Sequence, residues 1–141
     1  MSERPALAAY PYRTAIATRW MDNDIYGHVN NVAYYSYFDT AANRYLIEEG
    51  GLDIARGPVI GLVVESHCAY HAPIAFPQPI VAGVRVDKLG NRAVTYGIAI
   101  FAGEDTLAAA HGHFVHVFVD RTTRRPVSIP EPLRTALARL Q

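Results

Sequence analysis

Between Val32 and Glu49, apolar residues recur three and four positions apart, at Val32, Tyr35, Phe38, Ala42, Tyr45 and Leu46, while Asp39, Asn43, Glu48 and Glu49 supply polar positions. That spacing predicts an amphipathic helix of roughly five turns. Asn30 or Asn31 can cap its start, and Gly50-Gly51 can end it with positive φ. The surrounding chain has a different texture. Tyr10 to Trp20 reads as a strand and Met21 to Gly27 as a loop. Beyond Pro58, the segments Val59 to Ala72, Ile80 to Leu89, Arg92 to Ala102 and Thr106 to Val119 are rich in Val, Ile, Phe and Tyr between turn residues. Pro73 to Pro79 reads as an ordered connection, and Pro130 to Leu140 as a short C-terminal helix.

One long helix and five strands restrict the architecture. An ~18-residue helix spans about 27 Å and a nine-residue strand about 30 Å, so each matches the other. The expected fold is α+β: a five-stranded antiparallel sheet wrapped around one long central helix. Gly90-Asn91 and Gly103-Glu104-Asp105 are short enough to make the last three strands an antiparallel meander. Along Thr106 to Val119 both alternate sets are largely apolar, so a lone protomer would expose apolar sheet, and a homo-oligomer is expected.

With 141 residues the chain has the length of one domain, expected to run over 1–141. Its 13 Lys+Arg balance 13 Asp+Glu, which removes the broad positive field that a polyanion requires, and no nucleic-acid partner is expected. Cys68 is the single cysteine, so the chain forms no internal disulfide, and a reducing, cytoplasmic setting fits. No apolar run approaches the ~18 residues of a membrane span, and the N-terminus lacks a signal-peptide core, so no membrane partner is expected.

The densest polar group, Asp22, Asn23, Asp24, Gly27, His28, Asn30 and Asn31, lies between the first strand and the helix. A helix N-terminus offers unpaired N–H groups and partial positive charge, suited to a carbonyl oxygen that is gaining negative charge. A carboxylate nearby can attack that carbonyl or deprotonate a water, and Gly27 allows the chain to reverse so that Asp24 faces the helix end. His111 and His113 share one face of a strand, but no acidic third ligand is evident beside them, and metal binding is not expected. Cys68, in an apolar strand, reads as a buried inert thiol.

The stretch RWMDNDIYGHVNNVAYYSYFDTA resembles the signature of the 4-hydroxybenzoyl-CoA thioesterase-like family of hot-dog-fold acyl-CoA thioesterases, and the strand order and the VFVDRTTRRPVSIP tail resemble it as well. The resemblance implies a hot-dog fold, a homodimer or homotetramer, and hydrolysis of an acyl-CoA substrate with no metal or redox cofactor. It places the catalytic aspartate on Asp24 and the carbonyl-polarising amide on Asn31. Asp22, Gly27, His28 and Asn30 match as supporting positions, with substrate-binding roles for Asp22, Gly27 and Asn30. Some relatives carry histidine where Asn31 stands and tyrosine where Trp20 stands, which leaves His28 as the nearest imidazole and a third catalytic candidate. For the CoA phosphates the basic groups are Arg92 with Lys88 and Arg121 with Arg124 and Arg125. Two other outcomes of this fold remain open: a non-catalytic acyl-CoA-binding module and a dehydratase or hydratase.

Overall fold

The expected helix forms as α1, Asn31–Glu48, with Asn30 as its cap. The computed structural model describes residues 3–141; the first two residues of the expected domain lie outside it. Five strands, β1 (Tyr12–Ile16), β2 (Val59–Tyr70), β3 (Ile80–Leu89), β4 (Ala93–Ala102) and β5 (Ala110–Asp120), form one sheet in the order β1-β3-β4-β5-β2, and α2 spans Glu131–Ala138. Every pairing is antiparallel, and β3, β4 and β5 are the expected meander. No helix among the described residues is long and apolar enough to cross a membrane.

Two strand boundaries differ from expectation by four residues each. The first strand stops at Ile16, because Trp20–Asp22 closes a single 3-10 turn instead of continuing extended. The last strand starts at Ala110, and the residues before it run against the N-terminal segment, where Ala108 donates its N–H to Pro5 and Leu7 donates to Thr106.

α1 lies across one face of the sheet. Its buried side is Tyr34, Tyr37, Phe38, Ala41, Ala42, Tyr45 and Leu46, against Val84, Tyr96, Ile98, Ile100, Phe114 and Phe118. Val32, expected on that side, is exposed while Tyr34 is buried; tyrosines at both Tyr34 and Tyr35 leave the apolar phase ambiguous in sequence. Leu133, Leu137 and Leu140 close the core at the far end. On the outer face, Tyr10, Ala99, Phe101 and Ala108 form a small second cluster.

The apolar exposure expected along the last strand lies elsewhere. Alternation turns His111, His113, Val115 and Val117 to the outer face, and none of them is fully exposed. Of the expected segment only Leu107, before the strand begins, is exposed; the larger groups of exposed apolar side chains are Leu62, Val63 and Val64 on edge strand β2, and Trp20, Met21, Ile25, Tyr26 and Val32 around the start of α1.

Candidate active site at the start of the helix

The 3-10 turn is closed by Asp22, whose carboxylate folds back on Arg19. Oδ2 accepts the Arg19 N–H at 2.9 Å, and Oδ1 accepts Arg19 Nε and Nη2 at 3.1 and 2.9 Å. The Tyr37 hydroxyl, inside α1, donates to Oδ2 at 2.7 Å. Asp22 is only 3% exposed. Burial pushes its pKa up, but the Tyr37 hydroxyl and the Arg19 backbone and guanidinium outweigh it, and the net shift is downward. Asp22 is thus a buried anion tying the loop to the helix.

From Asp22 the chain reverses, as Gly27 permits with φ of +82°. Gly27 N–H donates to the Asp24 carbonyl and Asp24 N–H to the His28 carbonyl, both at 3.0 Å, while Asn30 N–H returns to the Asp22 carbonyl at 2.8 Å. The connection after β2 braces the loop from outside: Val29 N–H donates to the Ile74 carbonyl at 2.7 Å and Phe76 N–H to Asn23 Oδ1 at 3.0 Å. The loop is fastened at both ends.

Asn30 links the second acid to the helix. Its Oδ1 accepts the Val32 N–H at 2.9 Å, the N-cap bond, and its Nδ2 donates to Asp24 Oδ2 at 3.2 Å. Asp24 Oδ1 accepts the Tyr26 N–H at 2.9 Å. In contrast to Asp22, Asp24 is half-buried and meets no cation among the described residues. The Asn31 N–H, first in α1, finds no acceptor among the described residues and points from the positive end of the helix.

Two hollows flank this helix start. One, about 490 Å³, is bordered by Arg19, Met21, Asp24, Asn30, Val32 and Ser36. The other, about 320 Å³, is bordered by His28, Asn31, Tyr34, Tyr70 and His71. A carboxylate therefore stands on one side of the free N–H, and aromatic rings with two imidazoles stand on the other. The arrangement suits attack on a carbonyl whose oxygen rests at the helix end.

Asp22, Asp24, Gly27, His28, Asn30 and Asn31 thus come together as expected from their proximity in sequence. Arg92 and Arg121 do not join them. Both lie at the opposite end of the sheet, about one helix length or 27 Å away within the protomer. Arg121 is occupied there, with Nε and Nη2 donating to the Gly57 and Ile54 carbonyls at 2.6 and 2.7 Å. Arg92 flanks the β3–β4 hairpin with Lys88 and Thr95.

Three further residues stand at the site that were not expected there from the sequence. The Tyr70 hydroxyl donates to the Asn31 carbonyl at 2.9 Å, and its ring packs edge-on against Tyr34 with centroids 5.1 Å apart. His71 borders the same hollow, and Arg19 the other. Tyr70 and His71 arrive from β2, whose place beside α1 no local pattern announces.

On the outer face, Glu65 Oε2 lies 2.7 Å from His113 Nε2, an acidic neighbour the sequence did not reveal. His67 stacks on His113 and His71 on His111. Among the described residues no three His, Cys, Asp or Glu are grouped to hold a metal ion. Burial pushes the Cys68 thiol up to about 11, so it stays protonated and unreactive at neutral pH.

Over residues 18–137 the chain matches the family model described as thioesterase-like superfamily. Its structure superposes on the PA5185 protein of Pseudomonas aeruginosa with a TM-score of 0.97 and 60% identity, over 98% of this chain and 96% of that one. A thioesterase of Thermus thermophilus complexed with coenzyme A and Zn gives a TM-score of 0.77 and 28% identity, over 94% and 95% of the two chains. The fold alone is shared with a 1,4-dihydroxy-2-naphthoyl-CoA thioesterase of Synechocystis, at a TM-score of 0.81 and 17% identity over 92% and 96% of the chains. No curated protein matches the chain.

Proposed function

The chain belongs to the thioesterase-like superfamily, and from that premise we propose that it hydrolyses an acyl-CoA thioester to a free carboxylic acid and CoA, with Asp24 and the Asn31 N–H as the working groups. The observation that carries this reading is the pairing of a carboxylate that meets no cation among the described residues with an N–H that has no acceptor among them, at the positive end of a helix, the two joined by Asn30. The thioester carbonyl rests its oxygen on the Asn31 N–H. As negative charge develops there, the N–H and the helix dipole stabilise it more than they stabilise the uncharged ester. Asp24, held by Tyr26 and Asn30, attacks the carbonyl carbon or takes the proton from the water that does. Collapse breaks the C–S bond and releases CoA; after direct attack, water then hydrolyses the mixed anhydride, freeing the acid and restoring the Asp24 carboxylate. Asp22 and Gly27 shape the loop, His28 borders the hollow beside Asn31, and Asn30 sets the carboxylate.

The CoA-bound Thermus thermophilus thioesterase supports a CoA ester as the substrate class. The exposed β2 edge supports assembly as a homodimer or homotetramer: Val63 is 46% and Val64 60% exposed on an edge strand with free backbone groups, which a second copy covers by strand addition. Such pairing brings a partner's surface toward the exposed Trp20, Ile25 and Tyr26 at the site. The test is incubation with a panel of aromatic, branched and fatty acyl-CoAs, read as free thiol and as kcat/KM. Release of CoA thiol from at least one ester is the expected result. Binding without turnover across the panel would leave an acyl-CoA-binding module instead.

A further inference from the structure

His71 stands one residue past β2, in the hollow bordered by Asn31, on the side of the helix start away from the hollow that Asp24 borders. Its backbone N–H donates to the Ala109 carbonyl at 2.7 Å, and the preceding Tyr70 hydroxyl donates to the Asn31 carbonyl, so the segment carrying the imidazole is tied to both sheet and helix start. His71 Nε2 lies 2.7 Å from His111 Nδ1, with the rings only 9° from parallel. At that distance one of the two facing nitrogens donates and the other accepts.

When His71 carries both ring protons it can only donate, and His111 Nδ1 is then the acceptor. Burial foremost, then His71, then Arg85 from β3 and His67 from β2, hold its pKa below the ordinary histidine value, which keeps it neutral. On the same face Arg85 Nε pairs with Asp87 at 2.8 Å and His113 with Glu65 at 2.7 Å, while Arg13 and Lys88 have no carboxylate partner among the described residues. A neutral His111 presenting its Nδ1 lone pair fixes His71 with a proton on Nε2. Nδ1 is the His71 nitrogen left outside this contact.

We propose that His71 is the general acid that protonates the departing CoA sulfur, with His111 as its positioning residue; this rests on the hydrolase reading above. As the tetrahedral intermediate collapses, the C–S bond breaks and its electron pair goes to sulfur. The Nδ1 proton of the His71 imidazolium transfers to that sulfur, giving the thiol. Neutral His71 keeps its Nε2–H on His111 and regains its other proton from solvent. The proton of the attacking water leaves through Asp24, so the sum is thioester plus water to acid plus thiol.

The experiment compares two leaving groups on one acyl group, using the full chain: CoA, and 5-thio-2-nitrobenzoate, an aryl thiolate that departs without a proton. His71→Gln should lower kcat about 10²-fold on the acyl-CoA, the low end of general-acid effects, and by less than about threefold on the aryl thioester. His111→Phe keeps a ring in the stack but removes the acceptor. It should lose about tenfold on the acyl-CoA alone and move the basic limb of the kcat–pH profile to lower pH, while His111→Gln, which retains an acceptor, stays within about threefold. If His71→Gln does not fold, the His111→Phe comparison decides by itself. Equal losses on both leaving groups, or no loss on acyl-CoA, would overturn the assignment. A folded wild-type chain inactive on every acyl-CoA would overturn the hydrolase reading instead, so the two failures are distinguishable.

Discussion

Replacing each of the two loop acids by its amide separates the group that reacts from the group that holds the loop. The Asp22 oxygens together accept four hydrogen bonds, from Arg19 N–H, Nε and Nη2 and from the Tyr37 hydroxyl. An amide in its place turns an NH₂ toward donors on one side or the other. At least one bond to a buried carboxylate is lost and a donor is stranded, worth about 2–4 kcal/mol together. The ion pair itself adds little, because the Arg19 side chain is 63% exposed. At about 3 °C per kcal/mol for a chain of this size, Asp22→Asn should lower Tm by roughly 6–12 °C. The wild-type contribution carries a pH signature. Because the folded pKa of Asp22 lies below its ordinary value of 3.8, the stabilisation is complete above that value and fades as pH falls through the folded pKa; the variant lacks this fade.

Asp24→Asn behaves differently. Among the described residues Asp24 accepts only the Tyr26 N–H and Asn30 Nδ2, both partly solvated, and an amide keeps one of these, so stability should fall by about 1 kcal/mol or less. Losing the carboxylate should lower kcat about 10²–10⁴-fold with KM nearly unchanged. Thermal melts by circular dichroism and steady-state kinetics on the best acyl-CoA read both effects. An Asp24→Asn enzyme within threefold of wild-type kcat, or an Asp22→Asn enzyme with normal Tm and no turnover, would refute the division of roles.

Three further outcomes follow from other parts of the molecule. His116 is buried against Phe114 and Phe118 with the Tyr96 hydroxyl 3.0 Å from Nδ1, and burial pushes its pKa down to about 4 from 6.5. Unfolded chains bind that proton first, so stability is full above pH 6.5 and falls by about 3 kcal/mol toward pH 4; denaturant titrations of His116→Gln against wild type should show this slope removed. Gly112 admits no side chain, since a Cβ there would stand 1.7 Å from the His67 carbonyl oxygen. Gly112→Ala should cost about 3 kcal/mol or more and displace the histidine rows on either side, visible as a lowered Tm. Val64→Lys on the β2 edge should shift light-scattering mass toward a monomer at micromolar concentration, and an unchanged mass would remove β2 from the assembly surface.

What the sequence by itself determined here is local. The helix period from Val32 to Glu49, the asparagine cap, the reversal at Gly27 and the short links of the meander all depend on residues within a few positions of one another, and the helix, the loop and the strand order of β3, β4 and β5 form accordingly. The gathering of Asp22, Asp24, Asn30 and Asn31 at the helix start was legible for the same reason. Which acid is buried was not: Asp22 and Asp24 are two residues apart and chemically alike, and only Tyr37 reaching back from the helix makes one a structural anion and leaves the other beside the free N–H. Tertiary structure also decided that β2 closes the sheet beside β5, which brings Tyr70 and His71 to the helix start and sets His71 on His111, 40 residues further along the chain. It decided as well that Arg92 and Arg121 stand at the other end of the sheet. Strand partners are chosen by burial of whole faces, a property of the assembled layers, and so the pairs they create leave no mark in either segment alone.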